Sequence, residues 1–346
     1  MKGLRKVLTP FAPDQSGAVS VLYPLGGAVI VVDAGGCTGN ICGFDEPRWQ
    51  HQAAAVFSAG LRDMDAILGR DQLLVDKACE LAQTIHPQFV ALIGTPVPAV
   101  IGTDLKSLAR LIEKKSGVPA FAVVTNGFQL YDKGVEKTYL ALLRKYCKAE
   151  DSEGAACEKV GVLGMTPFDV DMQKMQPILA AHDTWCPFGW QPDLEAFCQA
   201  GKMQHNIVVS PSGLKAARWL KQHFDVDYTV EDPAAVSFAE SLSDVRGRRI
   251  LAVHQQVALK SARQVWLDRG AASVTAGTWF MNDKALRQPG DLQFKEEDEF
   301  EAAAASGDYD MIVADAVLRP LAKNFEGEWS DWPYFAISGK QIDVYE

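Results

Sequence analysis

The chain has 346 residues, of which 48% are hydrophobic and 23% are charged, and its formal net charge is −10. This composition is typical of a globular protein with a buried core, and the length allows two or three domains. The negative charge argues against nucleic acid or an anionic membrane surface as the main partner, because both are bound by clustered lysine and arginine. A soluble enzyme or a subunit of a complex is compatible with it.

Signals for export or membrane insertion are not visible in the sequence. The first residues are basic, but no apolar segment follows that would form a signal peptide. No run of about 18 apolar residues occurs, so no transmembrane helix is predicted. The seven cysteines are an odd number, which disfavours a disulfide framework. We therefore expect a cytoplasmic protein, in which the scattered cysteines are small buried residues: Cys79, Cys147, Cys157, Cys186 and Cys198.

Short, continuous, β-branched apolar runs recur along the chain, and each is followed by a turn and a helix of period 3.6. The predicted strands are 28–32, 89–93, 120–124, 160–163, 206–209, 249–253 and 311–314. Strands that are apolar on both faces are typical of parallel sheets covered by helices. Their alternation with helices predicts an α/β fold of doubly wound, Rossmann-like parallel sheets.

Several helices carry recognisable start signals. We expect one helix from Asp104 to Lys115, with Thr103 or Asp104 as its N-cap. Ser210 or Ser212 is expected to cap the helix after the fifth predicted strand, and we favour this role strongly over that of a nucleophile. The acidic, alanine-rich stretch 288–306 is expected to form a solvent-exposed helix.

Two stretches each precede a new strand. Residues 148–159 are polar and charged, without apolar period, and residues 231–249 carry an E-D-P sequence, a short helix and a charged turn. Composition shifts of this kind mark domain boundaries. They predict three domains, at 1–150, 155–235 and 246–346.

Motifs of several common enzyme classes are absent from the sequence. It contains no G-x-x-x-x-G-K-S/T phosphate loop, so ATP hydrolysis by that route is excluded. No G-x-G-x-x-G follows a strand, which disfavours a nicotinamide cofactor. The H-E-x-x-H and G-x-S-x-G motifs of zinc proteases and serine hydrolases are missing too. The catalytic residues, if any, are therefore not predicted.

A glycine-rich segment with two cysteines follows the first predicted strand. It reads D-A-G-G-C-T-G-N-I-C-G-F-D-E-P-R-W over residues 33–49. Ligands of doubly wound sheets bind beyond the carboxyl ends of the strands, and glycines let the backbone approach them closely. Cys37 and Cys42 can bind a soft metal as thiolates, as in iron–sulfur proteins. The spacing alone leaves open a second reading, a glycine-rich turn with two packed cysteines, and zinc would need two further ligands.

The segment resembles the cluster-binding loop of the nitrogenase component 1 superfamily. There a His-Gly-x-x-Gly-Cys motif is followed by Glu-Pro, and here Asp33-Ala34-Gly35-Gly36-Cys37 and Glu46-Pro47 have a similar form. Further similarities, at 94–104, 206–214 and 249–257, extend in order along nearly the whole chain. The superfamily includes nitrogenase subunits, a scaffold pair for cofactor assembly and several tetrapyrrole reductases.

The resemblance implies three domains of the nitrogenase component 1 type and an iron–sulfur cluster, expected as 4Fe–4S, bound beside Gly36 by Cys37 and Cys42. Two cysteines of the family pattern are missing, one upstream of Cys37 and one near Pro96. The cysteines of a homodimer could complete the ligand set across its two-fold axis, or a related subunit of a heterodimer could do so. The third possibility is that no cluster binds.

The resemblance further implies an oxidoreductase subunit that receives electrons from an ATPase reductase similar to the nitrogenase iron protein. The alternative is a non-catalytic scaffold of the same fold that carries or assembles a metal cofactor, and the missing cysteines favour it. Thr95, Asn126 and His254 are candidates for a substrate pocket, because they fall near the ends of predicted strands. The substrate is not predicted.

Overall fold

The computed structural model describes residues 5–52, 54–69, 71–148, 157–333 and 336–339. In this part of the chain three parallel sheets follow one another along the sequence, as the alternation of strands and helices predicts. None of the helices described is long and apolar enough to cross a membrane.

The first sheet has the strand order β2–β1–β3–β4, and all its pairings are parallel. Its central strands are buried along their whole length, because helices cover both faces. Its strands are β1 Ala28–Val31, β2 Ala55–Ser58, β3 Val90–Ile93 and β4 Ala120–Val123. The helices around it are α1 Asp14–Leu22, α2 Gly36–Asn40, α3 Asp63–Leu68, α4 Asp71–Ile85, α5 Pro96–Ile101, α6 Leu105–Ser116 and α7 Tyr131–Tyr146.

The second sheet has the order β6–β5–β7–β8 and is also parallel. Its strands are β5 Cys157–Leu163, β6 Trp185–Pro187, β7 Met203–Val208 and β8 Tyr228–Val230. Its helices are α8 Met172–Ala180, α9 Glu195–Cys198 and α10 Leu214–Phe224. Helix α11 Pro233–Ser241 follows β8 and packs mainly against the third sheet's helix Gln256–Asp268.

The third sheet has the order β11–β10–β9–β12–β13, again with parallel pairings. Its strands are β9 Arg249–Val253, β10 Ser273–Thr278, β11 Leu292–Gln293, β12 Met311–Ala314 and β13 Glu328–Asp331. Its helices are α12 Gln256–Asp268 and α13 Glu297–Ala304. The strands of the three sheets lie at 28–123, 157–230 and 249–331, and we propose that the domains follow them.

The predicted N-cap of α6 is confirmed at Asp104, whose side chain accepts a hydrogen bond from the Ser107 amide at 3.1 Å. The predicted cap of α10 was wrong. The Ser210 hydroxyl instead donates to the Gly164 carbonyl at 2.8 Å and lies 2.6 Å from the Ser212 hydroxyl, and neither serine caps α10.

The predicted exposed helix at 288–306 was also wrong in extent and exposure. Only Glu297–Ala304 is helical, and a short strand precedes it. Phe300 is buried against the rings of Trp279 and Phe294, so the helix has an apolar face. Glu297 is buried too, and its carboxylate accepts hydrogen bonds from the backbone amides of residues 6–8.

The scattered cysteines only partly follow their prediction. Cys147 and Cys186 are buried, whereas Cys79 and Cys198 are half-buried. The side chain of Cys157 lies outside the described residues.

Helices α1 and α7 pack against each other where the three sheets meet, within one hydrophobic core that draws on all three. The Tyr131 hydroxyl, on α7, donates to the Asp169 carboxylate after β5. Its ring lies 5.1 Å from that of Phe280 after β10. One helix therefore contacts the second and third sheets while covering the first.

Three buried carboxyl groups lie around this junction. Burial and, to a smaller extent, the charge of Asp132 raise the pKa of Asp169 to about 7, against the hydrogen bonds that Asp169 accepts. Burial also raises the pKa of Asp132 to about 6 and that of Asp232 to about 7. The folded protein therefore holds protons that an unfolded chain would release at the same pH.

We expect Asp169→Asn to weaken the pH dependence of the unfolding free energy. An unfolded aspartate ionises near pH 3.9, whereas folded Asp169 keeps its proton up to about pH 7. Its contribution to stability is therefore full at low pH and is lost as the pH rises between these values. The asparagine amide still accepts the Tyr131 hydrogen bond. Compared with the wild type, the unfolding free energy of the variant should therefore be higher at pH 8 than at pH 4 by roughly 1–4 kcal/mol. Urea unfolding between pH 4 and 8 measures this.

Asp183→Asn is the matched control, since Asp183 is exposed. This variant should show the same dependence of unfolding free energy on pH as the wild type. An Asp169→Asn profile with the wild-type slope would contradict the buried, protonated state of this side chain.

Candidate functional site

The cysteine segment after β1 is helical rather than an irregular loop. Gly35 precedes α2 with φ of 115°, a conformation that residues with a side chain rarely adopt. A π-helical turn, Ile41–Asp45, continues α2, and a 3₁₀ turn, Pro47–Gln50, follows. Single π turns within helices occur frequently at functional sites. We call residues 36–45 the cysteine helix.

Asp33 fixes the start of the cysteine helix. Its carboxylate is 2% exposed and accepts hydrogen bonds from the Thr38 amide at 2.8 Å and the Thr38 hydroxyl at 3.0 Å. The Ser58 hydroxyl at the end of β2 donates to it at 2.6 Å. One carboxylate thus joins the ends of β1 and β2 to the cysteine helix.

Asp45 fixes the other end. Its carboxylate accepts hydrogen bonds from the Ser16 hydroxyl of α1 at 2.6 Å and from the Asn40 amide at 2.8 Å. The Ser338 hydroxyl donates at 2.7 Å from near the other end of the chain. Burial raises the pKa of Asp45, and these hydrogen bonds oppose the increase.

A buried ion pair anchors the turn after the cysteine helix. The Arg48 guanidinium, 1% exposed, donates to both oxygens of Glu46, at 2.6 and 2.7 Å, and to the Ser20 carbonyl of α1 at 2.6 Å. It lies 5.1 Å from the centre of the Tyr23 ring and 5.0 Å from that of Trp190, which follows β6. The cysteine helix is therefore held against both the first and the second sheet.

Cys37 and Cys42 are both half-buried. Burial and the Asp33 carboxylate raise the pKa of the Cys37 thiol. Burial, Glu46 and Asp33 together raise the pKa of the Cys42 thiol to about 11. Both are therefore thiols at neutral pH unless a cation compensates the thiolate charge, which a coordinated metal does.

The outer face of the cysteine helix carries no bulky side chain for two turns. Gly36, Gly39 and Gly43 are exposed, and a Cβ atom at each would meet nothing within 4 Å. Phe44, next to them, is 55% exposed. A cofactor or another chain can therefore approach the backbone beside Cys37 and Cys42 closely.

Within the described part of the chain, the side chains do not suffice to bind the implied cluster. In the part of the chain that the structure describes, no group of three or more His, Cys, Asp and Glu side chains could hold a metal ion. The cysteine helix provides two thiols, whereas a 4Fe–4S cluster takes four cysteines. With the ligands that the described residues provide, a 4Fe–4S cluster fits here when a second chain supplies the others.

Exposed apolar side chains surround the cysteine helix at the carboxyl edge of the first sheet. All four strands of this sheet are followed by such residues, and the carboxyl ends of parallel strands meet at the same edge. We call this surface the apolar edge: Phe44, Met64, Ile67, Leu68, Val97, Val100, Ile101, Val124 and Phe128. Exposed apolar clusters of this kind mark interaction sites.

Of the other candidate residues, Thr95 and Asn126 follow neighbouring strands of the first sheet, whereas His254 lies in the third. The Thr95 hydroxyl is fully buried and donates to the Val32 carbonyl at 2.7 Å. The Asn126 side chain accepts from the Phe128 amide at 2.9 Å within its own turn. His254 lies in the third sheet, 4% exposed, with its ring 4.5 Å from that of Trp332. A pocket role for these three residues stays a prediction.

Several residues that shape the site were not predicted. Asp33 and Glu46 were noted in the motif but were given no role, although an aspartate directly after a buried strand is a usable signal. Nothing in the sequence indicates that Arg48 is buried in an ion pair, since arginines are usually found at the surface. Ser58 and Ser338 reach the site from distant parts of the chain.

Comparison with known proteins agrees with this architecture. The family described as Nitrogenase component 1 type Oxidoreductase matches residues 14–248. The solved structure "Nitrogenase Cp1 at pH 6.5" superposes with a TM-score of 0.74 at 12% identity, over 100% of this chain and 90% of the other. "Nitrogenase Cp1 at pH 5" gives 0.67 at 15% identity, over 98% and 88%. At such identities the likeness shows the fold.

Sequence relatives include the nitrogenase iron-molybdenum cofactor biosynthesis protein NifE of Methanococcus maripaludis, 28% identical over 121 residues, which are 34% of this chain and 25% of that protein. The protein of the same name from Methanosarcina barkeri is 28% identical over 117 residues, 33% of this chain and 25% of the other. The matched segment thus spans about a quarter of these relatives. Because the family match covers more than half of the chain, the chain belongs to the nitrogenase component 1 type oxidoreductase family.

Proposed function

We propose that this chain is a scaffold subunit that carries or assembles a metal–sulfur cofactor, bound by Cys37 and Cys42 at a two-fold interface. The observation that carries this proposal is the pair of half-buried thiols beside an open glycine face, which is an incomplete ligand set in one chain. A site shared between chains can open when they separate, which suits a cofactor that must be passed on. The names of the curated relatives, which refer to cofactor biosynthesis, support the same function.

The apolar edge is the surface that we propose for this interface. Val100, Ile67 and Phe128 are 75%, 74% and 71% exposed, which is unfavourable unless another chain covers them. The cysteine helix lies at the same edge, so one two-fold contact would bury these side chains and bring two copies of each cysteine together. The partner is a second copy of this chain or a related subunit.

The second candidate is a catalytic oxidoreductase subunit, and the family that the chain belongs to favours it. A bound cluster would supply one-electron transfer, fed by an ATPase reductase similar to the nitrogenase iron protein. The residues of this chain have the same structural roles in both proposed functions. Asp33 and Asp45 hold the cysteine helix in place, and the apolar edge excludes water once a partner covers it. We place both candidates in the cytoplasm, where thiols stay reduced.

Iron and acid-labile sulfide per chain, measured with molecular mass on protein purified without oxygen, test the proposal. About two irons and two sulfides per chain in a dimer are expected for one shared 4Fe–4S cluster. A dimer without iron after anaerobic reconstitution would contradict the cluster site. Transfer of the iron to an apo-acceptor protein would favour the scaffold. ATP-dependent reduction of a cluster that stays bound would favour the oxidoreductase.

A further inference from the structure

A pocket of about 580 Å³ lies between β1, β2 and one face of α4. It exists because β2 is an edge strand whose outer part no helix covers, so that Phe57 remains 36% exposed. Ile30, Leu74 and Ala78 form a buried apolar floor. Its volume is within the range of small-molecule sites, roughly 300–1,000 Å³.

The rim of this pocket is basic. Arg62 and Lys77 line it and are both exposed. Among the residues that the structure describes, neither makes an ion pair. Asp65 also lines the pocket, but its carboxylate accepts the Arg62 backbone amide at 3.0 Å at the start of α3. Two such cations over an apolar floor, in a chain with a net charge of −10, form a local site for a negative group.

We propose that this pocket binds a small amphiphilic anion, with an aliphatic or aromatic body on the floor and a carboxylate between Arg62 and Lys77. Both cations reach the rim on long apolar stems, which add to the contact with the body of the ligand. Ser58 lines the same pocket and donates to Asp33, which holds Thr38 of the cysteine helix. The Asp33 carboxylate therefore links the pocket to the segment that carries Cys37. Binding of the anion itself needs neither Cys37 nor Cys42.

Isothermal titration of the full chain, in the oligomeric state in which it is isolated, tests this with 4-phenylbutyrate and the neutral 4-phenylbutanamide as probes. The carboxylate should bind at least tenfold more tightly than the amide. Lys77→Glu should weaken its binding at least tenfold, and Arg62→Glu should do the same. Both side chains are exposed, so the fold should tolerate the changes.

Lys114→Glu, an equal change of charge at an exposed position of α6, is the control and should bind like the wild type. Equal binding of acid and amide, or undiminished binding in Lys77→Glu, would overturn the proposal. So would an absence of binding, or binding by dissociated monomers alone, since the latter would mean that a neighbouring chain fills the pocket. None of these outcomes bears on the iron content, so the proposed function stands or falls separately.

Discussion

Cys37→Ser is expected to lower the iron content of anaerobically prepared protein from about two atoms per chain to almost none. Serine keeps the size of the side chain but replaces a soft thiolate donor by an alcohol that stays protonated at neutral pH. Cys37 contacts the hydrophobic core only at its margin, so the fold should survive the change. Iron and sulfide analysis measures the loss, and electron paramagnetic resonance of the reduced protein should lose its cluster signal.

Cys79→Ser is the matched control, because Cys79 is also half-buried but lies on α4, away from the cysteine helix. It should keep the iron of the wild type. Cys42→Ser should behave like Cys37→Ser if both thiols bind the cluster. Full iron in Cys37→Ser, with unchanged urea unfolding, would contradict the proposed site and leave the glycine-rich turn as a structural element.

All central strands except β10 could be predicted from the sequence, whereas most edge strands could not. All seven predicted strands are present, and six others were missed, five of them at sheet edges. A strand such as β13, which reads E-W-S-D, has one neighbour and mixed exposure, so it lacks the apolar run that marks a central strand. The number of sheets was therefore predictable, but their widths were not.

At the site, the sequence predicted the position of the cysteines but not what holds them. The motif places Cys37 and Cys42 after β1, and the structure confirms that placement. Three side chains donate hydrogen bonds to the Asp45 carboxylate, from α1, from the cysteine helix and from residue 338. No local sequence pattern predicts that these distant segments lie together. Local motifs thus specify donor types, while tertiary packing specifies their geometry.

Arg48→Met is expected to have the largest effect on stability among the changes considered. Removing one partner of a buried ion pair leaves the other charge without compensation, which costs about 3–5 kcal/mol. Here Glu46 would lose two hydrogen bonds, and the contacts of the guanidinium with Tyr23 and Trp190 would be lost as well. The midpoint of urea unfolding at pH 7 should fall accordingly.

The control is Arg319→Met, which removes an arginine with the same kinds of partner at an exposed site. Arg319 pairs with Asp331, both side chains being about half exposed, and its guanidinium lies 5.6 Å from the Trp329 ring. Exposed pairs contribute about 0–1 kcal/mol, so this variant should unfold near the wild-type midpoint. Equal losses in the two variants would mean that burial of Arg48 does not determine its contribution.

The double variant Glu46→Met/Arg48→Met separates the charge from the packing. With both charges gone, no buried ion remains without a partner, so most of the stability lost in Arg48→Met should return. The Glu46 carboxylate also accepts the Arg48 amide at 3.0 Å, so the turn at 47–50 should lose its cap and recovery should be incomplete. If the double variant is less stable than Arg48→Met, Glu46 stabilises the fold through its cap even without Arg48, and the unpaired charge is not the main cost of Arg48→Met. In that case the cap by Glu46 holds the turn after the cysteine helix, and iron content should fall further in the double variant than in Arg48→Met.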